Sequence, residues 1–364
     1  MRYAAFVLLL LHGLIHLLGF AKAFDLGNIS QLTKNISKPA GFFWMAAAIL
    51  FLCAAVSLFL QSRLFWFFLF LAVVVSQVMI VFSWQDAKYG TIANIIFLLV
   101  AISSFASWKY HHLFVSDVES NFSQPAYFEQ GLLTENDIVH LPLTIQQYIR
   151  YTKSIGKPKI SNFKAEFTGQ IRGKESEQWM PFYSEQYNFL SVPTRLFFMN
   201  ATMKSLPVAG YHKYINANAS MDIRLLSLFQ VQYFDGAEMN TAETVTFLND
   251  LSIMAPAALI DRRIQWEEVN AYTTNARFTV NNHTVNATLF FNVEGALIDF
   301  ESFDRFNTQE NKRMRWTTPI KAYTEINGYK LASDADLVYS YPNQEFVYGR
   351  FKMKQILYNT STAK

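Results

Sequence analysis

The sequence predicts two unlike parts: a membrane α-helical domain of four helices, then an α+β domain built on a curled antiparallel sheet or half-barrel with one or two helices. Three observations carry this reading. Four stretches contain no Asp, Glu, Lys or Arg, namely Tyr3–Ala21, Ala40–Leu60, Leu64–Trp84 and Thr91–Trp108. Charge is spread unevenly: residues 1–119 hold seven Lys/Arg and four Asp/Glu, whereas residues 120–364 hold 24 of each. Most of the second part alternates polar and apolar residues with period two, the signature of half-buried strands.

Each uncharged stretch is close to the ~20 residues that carry a helix across a bilayer core of about 30 Å. Backbone polar groups in lipid must be satisfied within the segment, so the spans are helices. Trp44, Trp66, Trp84 and Trp108 sit near their ends, as an interfacial aromatic belt requires. A bundle of soluble helices would need a polar face, which these runs lack. Ala21-Lys22-Ala23 has the small-x-small form of a signal-peptide cleavage site. The apolar core before it exceeds the usual length of about 7–15 residues, which favours a retained span. Four spans put both ends of the bundle on one side. Lys22, Lys34, Lys38 and Lys88 on the other side outnumber Arg2, Arg63 and Lys109. The positive-inside rule therefore leans toward an extracytoplasmic second domain on an integral membrane protein.

After residues 1–109, polarity rises, and Pro125 and Gly131 punctuate residues 110–133, which read as a linker. The β-rich domain then spans 134–364. Thr134-Glu135-Asn136-Asp137 is a helix start, and Val139, Leu143, Ile145 and Ile149 are spaced for a short amphipathic helix to about Tyr151, with Pro142 limiting its first turn. In SNFKAEFTGQIRG, Phe163, Ala165, Phe167, Gly169 and Ile171 alternate with polar residues, and PFYSEQYNFLS and TRLFFMNATMK read as the next strands. One helix, Thr241 to about Ile260, interrupts with Val245, Leu248, Leu251 and Ile253 on one side. Later strands turn at Asn281-Asn282, Glu294-Gly295, Asn327-Gly328 and Pro342-Asn343. About ten strands joined by short turns imply antiparallel pairing and a strongly curled sheet, with the helix against or inside its concave face.

Balanced charge excludes a nucleic-acid partner, which needs a concentrated basic face. The single cysteine, Cys53, allows no intrachain disulfide. Phosphate-loop, G-x-S-x-G, H-E-x-x-H and C-x-x-C motifs are absent, so no cofactor is expected. His140, His212 and His283 lie far apart in sequence. Glu267 and Glu268 are adjacent in an extended segment and point oppositely, and two aspartates on one strand, Asp334 and Asp336, make a poor acid–base pair.

His12 and His16, inside LHGLIHLLGF, are 40° apart on one helix face. Ionisable residues within a span invite a functional reading. Haem ligation needs a second histidine-bearing helix at the same depth, and His111 and His112 lie roughly 15 Å away along the helix axis. A metal shared with Cys53, a proton or quinone site, or packing remain. In the packing case neutral imidazoles bond across the bundle to Gln77, Ser76, Asn94 or a backbone carbonyl, with Gly13 and Gly19 allowing close helix approach.

The β domain is rich in aromatic residues. If the concave side of a curled sheet is too large to fill with its own side chains, it holds a ligand. Trp179, Phe182, Tyr187, Phe189, Tyr211 and Trp266 are the candidate ligand-binding residues. The segments LPLTIQQYIRYTKSIGKPKISNFKAEFTGQIRG, WMPF, SIMAPAALIDRRIQWEEV and EFVYGRF, in this order over about residues 133–358, resemble an uncharacterised bacterial family of unknown function. Its members join a few N-terminal membrane helices to a β-rich domain. The chain departs from that pattern in GYHKYINANASM, with His212 in place of an acid and Ala219 near an expected glycine, and in RWTTPIKAY, which lacks a Pro-Trp. In architecture the β domain is similar to bacterial lipoprotein-carrier folds, which implies acyl-chain binding in a half-barrel. The expected function is non-enzymatic binding of a lipid or other apolar small molecule at the membrane surface, membrane lipids being the partners. The alternatives are a membrane redox or metal enzyme using His12, His16 and Cys53, and a sensor or assembly scaffold with a filled core.

Overall fold

The computed structural model describes residues 2–363. The chain divides into two compact units, residues 1–110 and 111–364.

The first unit is built on four helices long and apolar enough to cross a membrane. These are α1 (Arg2–Ala23), α2 (Lys38–Phe59), α3 (Phe65–Phe82) and α5 (Gly90–Asn121), with the single turn α4 (Trp84–Ala87) between the last two. Leu9, Phe51, Leu69 and Ala72 are buried between helices, while Leu8, Leu14, Ile49, Leu52 and Leu99 are exposed. That is the inverse of a water-facing surface and suits lipid. Close approach of α1 to α2 depends on glycine. A Cβ on Gly13 would stand 2.9 Å from Phe51 Cβ, one on Gly19 would overlap the Trp44 ring, and one on Gly41 would overlap Ala23. Ser37 caps α2 by accepting from the Ala40 N–H.

The uncharged run ending at Trp108 belongs to a helix that continues to Asn121. Residues 111–121 of α5 are part of the second unit, where Phe114 and Val118 are fully buried. Two short helices follow, α6 (Glu135–Ile138) and α7 (Leu143–Tyr151). Pro142 separates them because its ring fixes the backbone and removes an N–H donor. Thr134 and Asp137 form a capping box on α6.

Six strands then run up and down: β1 (Asn162–Ile171), β2 (Met180–Phe189), β3 (Thr194–Met203), β4 (Leu206–Ile215), β5 (Asn218–Leu225) and β6 (Phe229–Asp235). Helix α8 (Ala237–Met254) and a 3-10 turn (Pro256–Ile260) lead to eight more: β7 (Ile264–Asn270), β8 (Thr273–Val280), β9 (His283–Phe291), β10 (Leu297–Asn307), β11 (Lys312–Thr317), β12 (Ile320–Ile326), β13 (Tyr329–Tyr341) and β14 (Gln344–Tyr358). The pairing is antiparallel and the order is β6-β5-β4-β3-β2-β1-β14-β13-β11-β10-β9-β8-β7, with β12 on β13. Thus β1 and β14, the first and last strands, join two meanders at the centre of one curled half-barrel. The free edges are β6 and β7, and α8 is the segment that links them, so it crosses the inner face.

The strand count exceeds the roughly ten expected because several hairpins turn without glycine. Lys204-Ser205, Asn216-Ala217 and Leu226-Ser227 all adopt positive φ, as the mirror-image turns of tight hairpins demand. The expected turns Asn281-Asn282 and Asn327-Gly328 do the same with residues suited to it.

Candidate functional site

Helix α8 is buried on all sides from Thr241 to Met254 although it is rich in polar residues. Much of that polarity is satisfied locally. Thr241, Thr244, Thr246 and Ser252 each donate their hydroxyl to the carbonyl four residues back. Glu243 and Asp250 are seven residues apart, hence on one face two turns from each other, and they look to the sheet for partners.

The partners are on β2, β3, β4 and β10. Arg195 Nε donates to Asp250 Oδ2 at 2.8 Å, its Nη1 to Glu243 Oε2 at 3.1 Å and its Nη2 to Gln186 Oε1 at 3.2 Å. Asp250 Oδ2 also accepts from Gln186 Nε2 at 2.6 Å and Asn188 Nδ2 at 3.1 Å. Arg305 Nη1 lies 3.4 Å and His212 Nδ1 3.5 Å from Glu243 Oε1. Burial alone would raise the Glu243 carboxyl. The Arg195 and Arg305 guanidiniums, with His212, outweigh it and hold that carboxyl well below the usual range. Burial pushes the Asp250 carboxyl up despite Arg195, and the Glu243 charge adds to the rise.

This cluster borders a cavity of about 690 Å³ between α8 and the inner sheet face, within the range of small-ligand sites. Its walls are mainly apolar, among them Met199, Met221, Ile223, Leu337, Phe351 and Met353. Charged side chains line it at the buried cluster and also at Arg172, Lys174, Glu177 and Asp334, and a cavity with mainly apolar walls between such groups is suited to hold a molecule that is apolar over most of its length.

The six aromatic residues singled out from the sequence fall in four places. Tyr187, Phe189 and Tyr211 stand on the outer sheet face beneath residues 111–122. There Phe114 packs on Tyr187 and Tyr211 with ring centres 6.0 and 5.6 Å away, and Phe122 packs on Phe189 at 5.2 Å. Tyr211 Oη and Lys213 Nζ both donate to Asp117 on α5. Phe182 is on the inner face against Phe351, at 4.7 Å. Trp179 is sandwiched by the Arg172 and Arg350 guanidiniums at 4.5 and 4.4 Å. Trp266 borders a second, open groove of about 520 Å³ with Glu267, Asn275 and Arg277. None of the six is among the residues lining the larger cavity. Sequence reasoning passed over Arg195, Glu243, Asp250 and Arg305. The available signal was the seven-residue spacing of two carboxylates in a helix expected to lie inside the sheet.

In the first unit the histidines join a network across the bundle. His16 Nδ1 donates to the His12 carbonyl at 2.8 Å, so its Nε2 accepts from Ser76 Oγ at 2.7 Å. His12 Nε2 is 3.1 Å from Asn94 Oδ1, and Asn94 Nδ2 donates to Ser76 Oγ and to Gln77 Oε1. Ser76 and Asn94 are two of the three side chains named in the packing reading, and the carbonyl is on the histidines' own helix. Among the described residues no three His, Cys, Asp or Glu side chains are grouped as metal ligands.

Comparison with known proteins gives a family and a distant fold likeness. No curated protein matches the chain. Among solved structures, a putative outer membrane lipoprotein-sorting protein domain from Vibrio parahaemolyticus aligns with 10% identity and a TM-score of 0.33, over 55% of this chain and 86% of that one. A family model matches residues 131–351, the half-barrel from before α6 into β14, and by that match the chain belongs to a family of unknown function, DUF6544.

Proposed function

We propose that the half-barrel domain binds a lipid or other apolar small molecule without chemical conversion, in a protein integral to a bacterial cytoplasmic membrane. The observation that carries this is the cavity itself: about 690 Å³ of mainly apolar surface left open between α8 and the inner sheet face. Burial of a ligand's apolar surface there contributes roughly 25 cal/mol per Å² before the costs of association. Four apolar helices support the membrane placement, and the excess of Lys22, Lys34, Lys38 and Lys88 supports an extracytoplasmic half-barrel. Phe182 and Trp179 act in this reading as supports, because each packs on a residue of the wall, Phe351 and Arg172 respectively.

The test is mass spectrometry of organic extracts of the purified full-length protein. A stoichiometric lipid or other apolar molecule is expected, reduced in Trp179→Asp and in Met221→Asp. A folded protein with no bound apolar molecule, which also fails to take up added lipid, overturns the reading.

A further inference from the structure

We infer that the cavity selects an anionic amphiphile, a molecule with one long apolar chain and a carboxylate or phosphate head received by Arg305 beside His212. The inference rests on the apolar-ligand reading above and specifies the chemistry of the head.

The argument starts from donors and acceptors. Arg195 is fully engaged, with its three nitrogens directed at Asp250, Glu243 and Gln186. Arg305 is not. Its one carboxylate contact is Glu243 Oε1 at 3.4 Å, an oxygen that His212 also approaches at 3.5 Å. One carboxylate thus serves two guanidiniums and an imidazole. Arg305 Nε is buried and has no hydrogen-bond partner among the described residues, yet Arg305 lines the cavity. The guanidinium lies over the Trp316 ring, 5.3 Å from its centre, and Trp316 donates in turn to Tyr348 Oη at 3.0 Å. A buried, oriented N–H without an acceptor is a group that a ligand oxygen satisfies. A neutral oxygen can also accept from it, but only an anionic oxygen makes the stronger charge-assisted bond with the guanidinium, and a cationic head would face two guanidiniums.

The experiment uses full-length protein in phosphatidylcholine nanodiscs and a palmitic acid carrying a photoreactive diazirine, with crosslinks mapped by peptide mass spectrometry. Palmitate, 1-palmitoyl lysophosphatidate and hexadecanol compete. An anionic competitor is expected to displace the probe from inner-face strand peptides at concentrations at least tenfold below hexadecanol. The stronger of the two acids assigns a carboxylate or a phosphate head. In Arg305→Gln the preference is expected to shrink to within threefold. Equal displacement by hexadecanol and both acids in the wild type, which needs no variant, overturns the anionic head and leaves apolar binding standing. So does a preference that survives intact in folded Arg305→Gln. Absence of any saturable crosslink to the half-barrel overturns both readings together.

Discussion

Glu243 is the residue on which the buried charge cluster turns. Removing one member of a buried ion pair leaves the other uncompensated, at a cost of about 3–5 kcal/mol. Glu243→Gln takes from Arg305 its one carboxylate contact and leaves Arg195 with Asp250 alone, and it is expected to fall in that range at pH 7, read from denaturant midpoints. The pH dependence has a definite sign. A carboxyl held below its ordinary value of 4.5 contributes stability that is complete above that value and is lost as pH falls below it. The gap between wild type and Glu243→Gln is therefore expected to narrow between pH 7 and pH 3. A constant gap would show that Glu243 is not the ionised partner. Asp250→Asn is expected to cost less at pH 7, because burial already works against its charged form. Little of this was legible in the sequence, where Arg195, Glu243 and Arg305 are 48 and 62 residues apart and nothing in one strand or helix announces its distant partner. By contrast, Ser76 and Asn94 were among the candidate partners of His12 and His16, because spans of fixed length and direction bring few polar side chains to one depth.

Among the elements, α1 and α2 show how a small residue sets helix spacing. With a Cβ on Gly19 overlapping Trp44, Gly19→Leu is expected to push the two helices apart and lower the detergent-solubilised unfolding temperature by several degrees; an unchanged value would mean that α1 is not seated as described. In the sheet the tight turns predict the opposite sign. Ser205 is exposed at φ 69°, a conformation that costs a side chain energy and glycine almost none. Ser205→Gly is expected to stabilise the domain by roughly 0.5–1 kcal/mol, measurable as a raised midpoint. The same feature explains which hairpins sequence reasoning could see. Asn327-Gly328 declares its turn, whereas Leu226-Ser227 adopts positive φ in residues that usually avoid it, imposed by the pairing of β5 with β6. Helix α8 was visible as an element, and the curl of the sheet placed it against or inside the concave face. Its burial on all sides follows from the topology, since it links the two free edges of the sheet.

For the half-barrel as a whole, the inner face has α8 and the cavity, and the outer face of β2 to β4 has the end of α5. Phe114 and Val118 are fully buried there, with Phe198, Tyr187 and Tyr211 around Phe114. Asp117 receives both Tyr211 and Lys213, and His111 pairs with Glu185 at 3.6 Å. The segment therefore has apolar and ionic complements along its length, and polarity alone, which rises after Trp108, reads it as a linker. The consequence is a prediction about where the domain can be cut. A fragment of residues 111–364 keeps this cover and is expected to remain monomeric in solution. A fragment of residues 125–364 bares Tyr187, Phe189, Phe198 and Tyr211 as one apolar patch, which favours association. Light scattering of the two fragments, with a third bearing Phe114→Asp in residues 111–364, separates the causes. If the third behaves like the shorter fragment, the apolar contact of Phe114 is what covers the sheet. If it stays monomeric, the ion pairs of Asp117 and His111 suffice and the buried phenylalanine is dispensable.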